Sequence, residues 1–280
     1  MPVPGAQHDK IKLPEALYAG RPNSRGFDLS NEVTLSMLDD ALVATTKVDW
    51  QAAPLIGGKT ADGESRPVLN PGDLTDRVGT VTETREADVA AAVATANAAA
   101  AQWAAVSPAE RASRLVRAAD LMQERMPALL GLIIREAGKS LPNAVAEVRE
   151  AIDFLRYYAE QASRTLGPAH APLGPIVCIS PWNFPLAIFA GQVVAALVAG
   201  NPVLAKPAEE TPLIAAEGVR ILHEAGIPGD VLQLLPGDGR IGAALVGADG
   251  IAGVMFTGST EVARLIQAQL AGRLSKIGKP

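Results

Sequence analysis

The sequence predicts an α/β protein: a parallel sheet with helices on both faces, preceded by a layer of helices. Three observations predict it. Four short apolar runs, Pro175 to Ser180, Pro202 to Ala205, Val231 to Leu235 and Gly250 to Phe256, read as strands buried on both faces. Helical patterns separate these runs at a spacing that fits right-handed crossovers. A polar or glycine landmark follows each run in turn: Asn183, Lys206, Gly237 and Ser259. In an open parallel sheet such positions share the carboxyl edge, where ligands bind, and the sheet is accordingly read as Rossmann-like.

The composition sets the outer bounds. With 280 residues, 48% hydrophobic and 20% charged, the chain can bury one large core or two modest ones. A net charge of −5 and the lack of a basic stripe argue against nucleic acid as a partner. The longest apolar stretch, Leu186 to Gly200, carries Gln192 and is too short to span a bilayer, so no transmembrane segment is expected. The opening Met1-Pro2-Val3-Pro4-Gly5 lacks a charged and then apolar secretory pattern, which makes the cytoplasm the expected compartment. One cysteine cannot form an internal disulfide, and His8, His170 and His223 share no ligand spacing, so no metal site is expected.

Taken in order, residues 1–60 mix Pro, Gly, Asn and Asp with short apolar clusters and read as a leader or connector. Residues 61–170 read as the helical layer of a cofactor domain, and residues 171–280 as the Rossmann-like sheet. Arg66-Pro67-Val68-Leu69 alternates briefly and ends in the turn Asn70-Pro71-Gly72-Asp73. Glu86 to Val106 is alanine-rich, with acids at its start that suit the positive end of a helix dipole. Ser107-Pro108-Ala109-Glu110 is a capping box, and the helix it opens should bury Leu115, Ala118, Ala119 and Met122. Pro127 opens a third helix that Gly138 ends, and Ser140 caps a fourth, from Leu141 to about Arg164. Four helices in succession form a layer. Between and after the strands, Leu186–Val198, Pro212–Ala225, Arg240–Val246 and Glu261–Leu274 carry helical patterns.

Three motifs carry chemistry. In Pro181-Trp182-Asn183-Phe184-Pro185 an asparagine between two prolines can aim a rigid amide N–H at a developing oxyanion. Taken alone, Asn183 also reads as an ordinary turn asparagine. In Lys206-Pro207-Ala208-Glu209 a lysine and a glutamate three residues apart can grip a ribose diol, or remain solvated loop charges. In Phe256-Thr257-Gly258-Ser259-Thr260 a small-residue turn opening a helix can take a pyrophosphate on its N–H groups.

All three in this order resemble the NAD(P)-dependent aldehyde dehydrogenase superfamily, over about residues 65–280. The resemblance implies a partial aldehyde dehydrogenase fold. It gives Asn183 the oxyanion role and lets Phe184 line the aldehyde channel, although core packing explains Phe184 equally well. It sets Lys206 and Glu209 on the adenosine ribose, where a carboxylate repels a 2′-phosphate, so NAD is the expected cofactor. It places Ile179, Pro181 and Trp182 along the cofactor groove and Gly237 against the adenosine. Thr257, Gly258 and Ser259 fall at the pyrophosphate and Val262 beneath the adenine. Ala263 stands where the family usually has a second glycine. The run Gly237-Asp238-Gly239-Arg240-Ile241-Gly242 matches a dinucleotide fingerprint, but too little sheet follows for the fold that such a run begins, and it is read as a decoy.

The segments Leu13-Pro14-Glu15-Ala16-Leu17-Tyr18 and Asn23 to Glu32, with Pro172 to Phe189, resemble one branch of the superfamily. There a proline dehydrogenase barrel precedes an L-glutamate γ-semialdehyde (pyrroline-5-carboxylate) dehydrogenase. The implied reaction has a cysteine thiolate attack the small aldehyde substrate, with hydride passing to NAD⁺ and a glutamate-activated water releasing glutamate. The implied parent is a homo-oligomer. Cys178 lies in the apolar strand Ile176-Val177-Cys178-Ile179 with no base nearby and is read as inert. With no other thiol, the chain is expected to be an amino-terminal piece, inactive by itself. The alternatives are an aldehyde dehydrogenase of another substrate class, or a non-catalytic nucleotide-binding or assembly module.

Overall fold

The computed structural model describes residues 10–167 and 169–277, and only the backbone of 15 and 273–277. The opening Met1 to Gly5 run and His8 lie outside the described residues.

The stretch read as a leader is largely folded. Helix α1, Glu32–Thr45, starts at Asn31, whose side chain accepts from Val33 N at 2.9 Å and Thr34 N at 3.1 Å. Strand β1, Trp50–Ala52, follows, then the short strands β2, Leu55–Ile56, and β3, Lys59–Thr60. Gly57 and Gly58 join these two with φ of 58° and 76°, the conformation a two-residue hairpin demands. Strands β4, Ser65–Asn70, and β5, Asp73–Thr82, form a second hairpin around the expected turn. β1 pairs parallel with β5, giving a three-stranded sheet in the order β1-β5-β4. The leader expectation fails because its apolar residues are few but well placed: Leu38, Trp50 and Ala52 join the main core. Residues 61–170 likewise begin with strands rather than helices.

Helices α2, Val89–Ala105, α3, Pro108–Glu124, α4, Met126–Ala137, and α5, Leu141–Thr165, follow as expected. Leu115, Ala118, Ala119 and Met122 of α3 are fully buried. Ser107 accepts from Glu110 N at 3.2 Å, while the Glu110 side chain turns to Arg114 instead of closing the box. Gly138 ends α4 with φ 64°, but Ser140 supplies no side-chain cap to α5. Nor do the four helices form one layer. α2 sends Val89, Ala92, Val93 and Ala96 into a second, smaller core and only its later residues Ala99 and Trp103 into the main one, where α3, α4 and α5 pack.

The larger sheet separates these cores. Strands β6, Ile176–Ile179, β7, Val203–Lys206, β8, Leu232–Leu234, and β9, Gly253–Phe256, are mutually parallel. Helices α6, Ala187–Val198, α7, Pro212–Glu224, α8, Gly239–Gly247, and α9, Thr260–Ile277, connect and follow them. The strand order β3-β2-β8-β7-β6-β9 adds the β2–β3 hairpin antiparallel to β8, so the sheet is mixed at that edge. Alternation along the strands divides the side chains. Ile176, Cys178, Val203 and Ala205 face the main core, and Val177, Ile179 and Leu204 face the smaller one. Ile179 is level with both Lys206 and Phe256, so three strands end at one height and their loops emerge together.

Candidate functional site

Two clefts open along that carboxyl edge and share Ala208 and Val262. The first, about 570 Å³, is lined by Pro181, Trp182, Asn183, Phe184, Phe256 and the turn Thr257-Gly258-Ser259. The second, about 310 Å³, lies between α8 and α9 with Ile179, Lys206 and Glu209 at its floor and rim. Every site residue expected from the sequence lines one or the other except Gly237. That glycine sits in the turn after β8, where an added Cβ would meet Ile241.

The second cleft has matched walls. Gly239, Gly242, Ala243 and Val246 of α8, and Val262, Leu265, Ile266 and Gln269 of α9, each recur at i, i+3, i+4 and i+7. Gly242 faces the Lys206 stem, and a Cβ added at this glycine would lie 3.4 Å from Lys206 Cδ. The run read as a decoy joins β8 to α8 of the same sheet, and two of its glycines make a cleft wall. The helical period from Gly239 was the signal for this.

Lys206 continues the alternation of Leu204, so it points toward α8 and α9. It is 6% exposed, and its ammonium donates to Pro207 O at 3.0 Å. Burial lowers its pKa, while Glu209, Glu210, Asp238 and Glu83 oppose that shift. Glu209 is exposed at the rim. Its backbone is held from β4, where Arg66 donates Nη2 to Glu209 O at 2.6 Å and Nε to Glu83 at 2.7 Å. Arg66 is 143 residues away in sequence and carries no motif, so nothing local announces it.

The turn before α9 is organised from both sides. Ser259 Oγ accepts from Val262 N at 3.2 Å, capping the helix, and Thr257 N donates to Ile179 O at 3.1 Å. Gln192, from α6, closes the gap. With its amide oriented to satisfy both ends, it donates to Ile179 O at 3.2 Å and accepts from Thr257 Oγ1 at 2.8 Å. The positive end of α9 thus faces the first cleft beside small residues, an arrangement that suits phosphate oxygens.

Trp182 is 56% exposed and Phe184 39%, and Asn183 between them is also exposed. The turn that carries them is fixed behind. Glu147 of α5, fully buried, accepts from Leu186 N at 2.9 Å and Ala187 N at 3.4 Å with Oε1. Its Oε2 pairs with Lys139 Nζ at 2.5 Å. Glu136 of α4 does the same for α7, accepting from Leu213 N at 2.6 Å and Ile214 N at 2.9 Å. Cys178 is 1% exposed, and burial pushes its thiol pKa up, which suppresses the thiolate. Among the described residues no group of His, Cys, Asp or Glu is placed to hold a metal ion, and no single helix is long and apolar enough to cross a membrane.

This fold, with its cleft at the strand ends, is that of the aldehyde dehydrogenase family, to which the chain belongs: residues 59–278 match the family. Within it, the chain is 69% identical to the bifunctional protein PutA of Rhizobium meliloti over 282 residues, covering 100% of this chain and 23% of that protein. The chain thus spans about a quarter of the length of that relative. A crystal structure of PutA from Bdellovibrio bacteriovorus superposes with a TM-score of 0.84 at 30% identity, over 92% of this chain and 28% of that one. The 1-pyrroline-5-carboxylate dehydrogenase from Thermus with bound NAD gives 0.83 at 35% identity, over 88% of this chain and 51% of that one.

Proposed function

We propose that this chain is the NAD-binding part of a dehydrogenase that oxidises L-glutamate γ-semialdehyde to glutamate in proline degradation. The observation that supports this reading is the adjoining pair of clefts, which brings the residues read as oxyanion, ribose and pyrophosphate ligands to one edge. The chemistry of the donor set fits the cofactor. The apolar wall of Val262, Leu265 and Ile266 suits a flat base, Lys206 and Glu209 suit a ribose diol, and Thr257 to Ser259 suit the pyrophosphate. The NAD bound by the Thermus relative supports the same choice. When bound, NAD⁺ supplies the hydride acceptor.

The residues of this chain bind, orient and polarise. Asn183 points its amide at the oxygen of the aldehyde, where negative charge grows as a nucleophile adds. Phe184 lines the aldehyde channel beside it, and Trp182 lines the adjoining cofactor groove. Cys178, within β6 and buried toward the main core, is not assigned that role in this reading. The cytoplasm is the proposed setting and a homo-oligomer the proposed assembly.

The test is Asn183→Ala in the whole protein. Loss of one preorganised oxyanion donor typically costs ~2.7–4 kcal/mol, about a hundred- to a thousandfold in kcat. KM should hardly change, because the charge develops after substrate has bound. A raised KM with kcat intact would make Asn183 a binding or structural group instead.

A further inference from the structure

The turn holding Asn183 has its own support, and nothing in the motif itself contains it. Glu147 lies on α5, 39 residues before Leu186 in sequence. Its carboxylate is 1% exposed and closes the N-terminus of α6, three residues past Asn183. The second carboxylate oxygen holds Lys139 at 2.5 Å, and the same ammonium sits 4.1 Å from the centre of the Phe184 ring. One ion pair thus grips the turn from two sides: the carboxylate takes the backbone that leaves it, and the ammonium takes the ring next to Asn183. A lone buried carboxylate would be costly; the pairing with Lys139 and the backbone N–H groups offsets that cost and fixes the direction of approach.

We propose that Glu147 and Lys139 are positioning residues for the oxyanion donor. They set where the Asn183 amide points, without touching substrate or cofactor. The proposal rests on the oxyanion reading of Asn183 and adds to it the device that makes the amide preorganised. A misplacement on the order of 1 Å at such a group can cost about a hundredfold in rate.

The experiment is a double-mutant cycle in the whole protein, measuring kcat and KM for the aldehyde with Asn183→Ala, Glu147→Gln and the two together. Glu147→Gln is nearly isosteric, keeps an acceptor for Leu186 N and removes the charge that holds Lys139. The expected result is a fall in kcat of about ten- to a hundredfold, little change in KM, and no further fall when Glu147→Gln is added to Asn183→Ala. A merely structural role would lower activity by the same factor in both backgrounds, and full additivity would overturn the proposal. So would an unchanged kcat for Glu147→Gln beside a strong Asn183→Ala effect. If Asn183→Ala leaves kcat intact, the oxyanion reading itself fails, an outcome distinct from failure of the positioning role. Should Glu147→Gln not yield folded protein, the same cycle with Lys139→Met decides: coupling to Asn183 supports the proposal and additivity rejects it.

Discussion

Lys206 and Glu209 stand three residues apart in opposite surroundings, one stem buried under α8 and one carboxylate at an open rim. Under the proposed reading of the cleft, the difference divides their work. The lysine has a fixed direction, set by the strand alternation and the wall at Gly242, so it can hold a hydroxyl in one place. The glutamate contributes chiefly charge, its backbone anchored by Arg66. A 2′-phosphate would meet that charge. Glu209→Gln should therefore narrow the preference for NAD over NADP by about 1 kcal/mol, roughly fivefold, the scale of one exposed charge pair in water. Titration of both cofactors against both forms checks this, and an unchanged ratio would place the carboxylate away from the ribose. Cys178 shows the same logic in reverse: a residue tempting by type is removed from chemistry by its burial within β6.

At the scale of elements, two buried glutamates reach across from the helical face to close α6 and α7, the helices that follow two loops lining the clefts. Burial pushes Glu136 up from its ordinary 4.5 to about 8, against the two N–H donors of α7. Between those values the folded chain keeps a proton that the unfolded chain releases, so the contribution of this one group to stability is full below about pH 4.5 and is lost as pH rises toward 8. One such proton accounts for a slope of at most about 1.4 kcal/mol per pH unit. Thermal melting of Glu136→Gln across this range should show a flatter profile than the parent; a parallel profile would mean Glu136 is ionised in the fold. These contacts also mark the limit of what sequence can reveal. The four parallel strands, their helices and the carboxyl-edge landmarks were legible, because period, turn residues and motif all act within a few positions. Glu136, Glu147, Arg66 and Gln192 were not, since each acts on a partner from 39 to 143 residues distant. The hairpin at Gly57-Gly58 had a readable signal, two glycines between short apolar and β-prone pairs, that the leader reading passed over.

For the whole molecule, the early segment belongs to the body. Leu38, Trp50 and Ala52 complete the main core, and β2 covers the β8 edge of the larger sheet. Burial of Leu38 alone is worth roughly 1.5–3 kcal/mol. A chain cut to residues 61–280 should therefore be much less stable than the 280-residue chain, with a lower melting temperature and faster limited proteolysis. Equal behaviour of the two would restore the leader reading. The three tryptophans end up at three depths: Trp103 is 1% exposed and bonded to Leu197 O, Trp50 is 8% exposed, and Trp182 is 56% exposed on the cleft. The molecule thereby carries its own optical gauge. Emission from Trp182 should lie to the red of the other two and be the part that iodide quenches. NADH in the cleft should accept its excitation, so that nicotinamide fluorescence excited through tryptophan follows occupancy. Trp182→Phe should abolish most of that transfer while the two interior rings go on reporting whether the fold is intact.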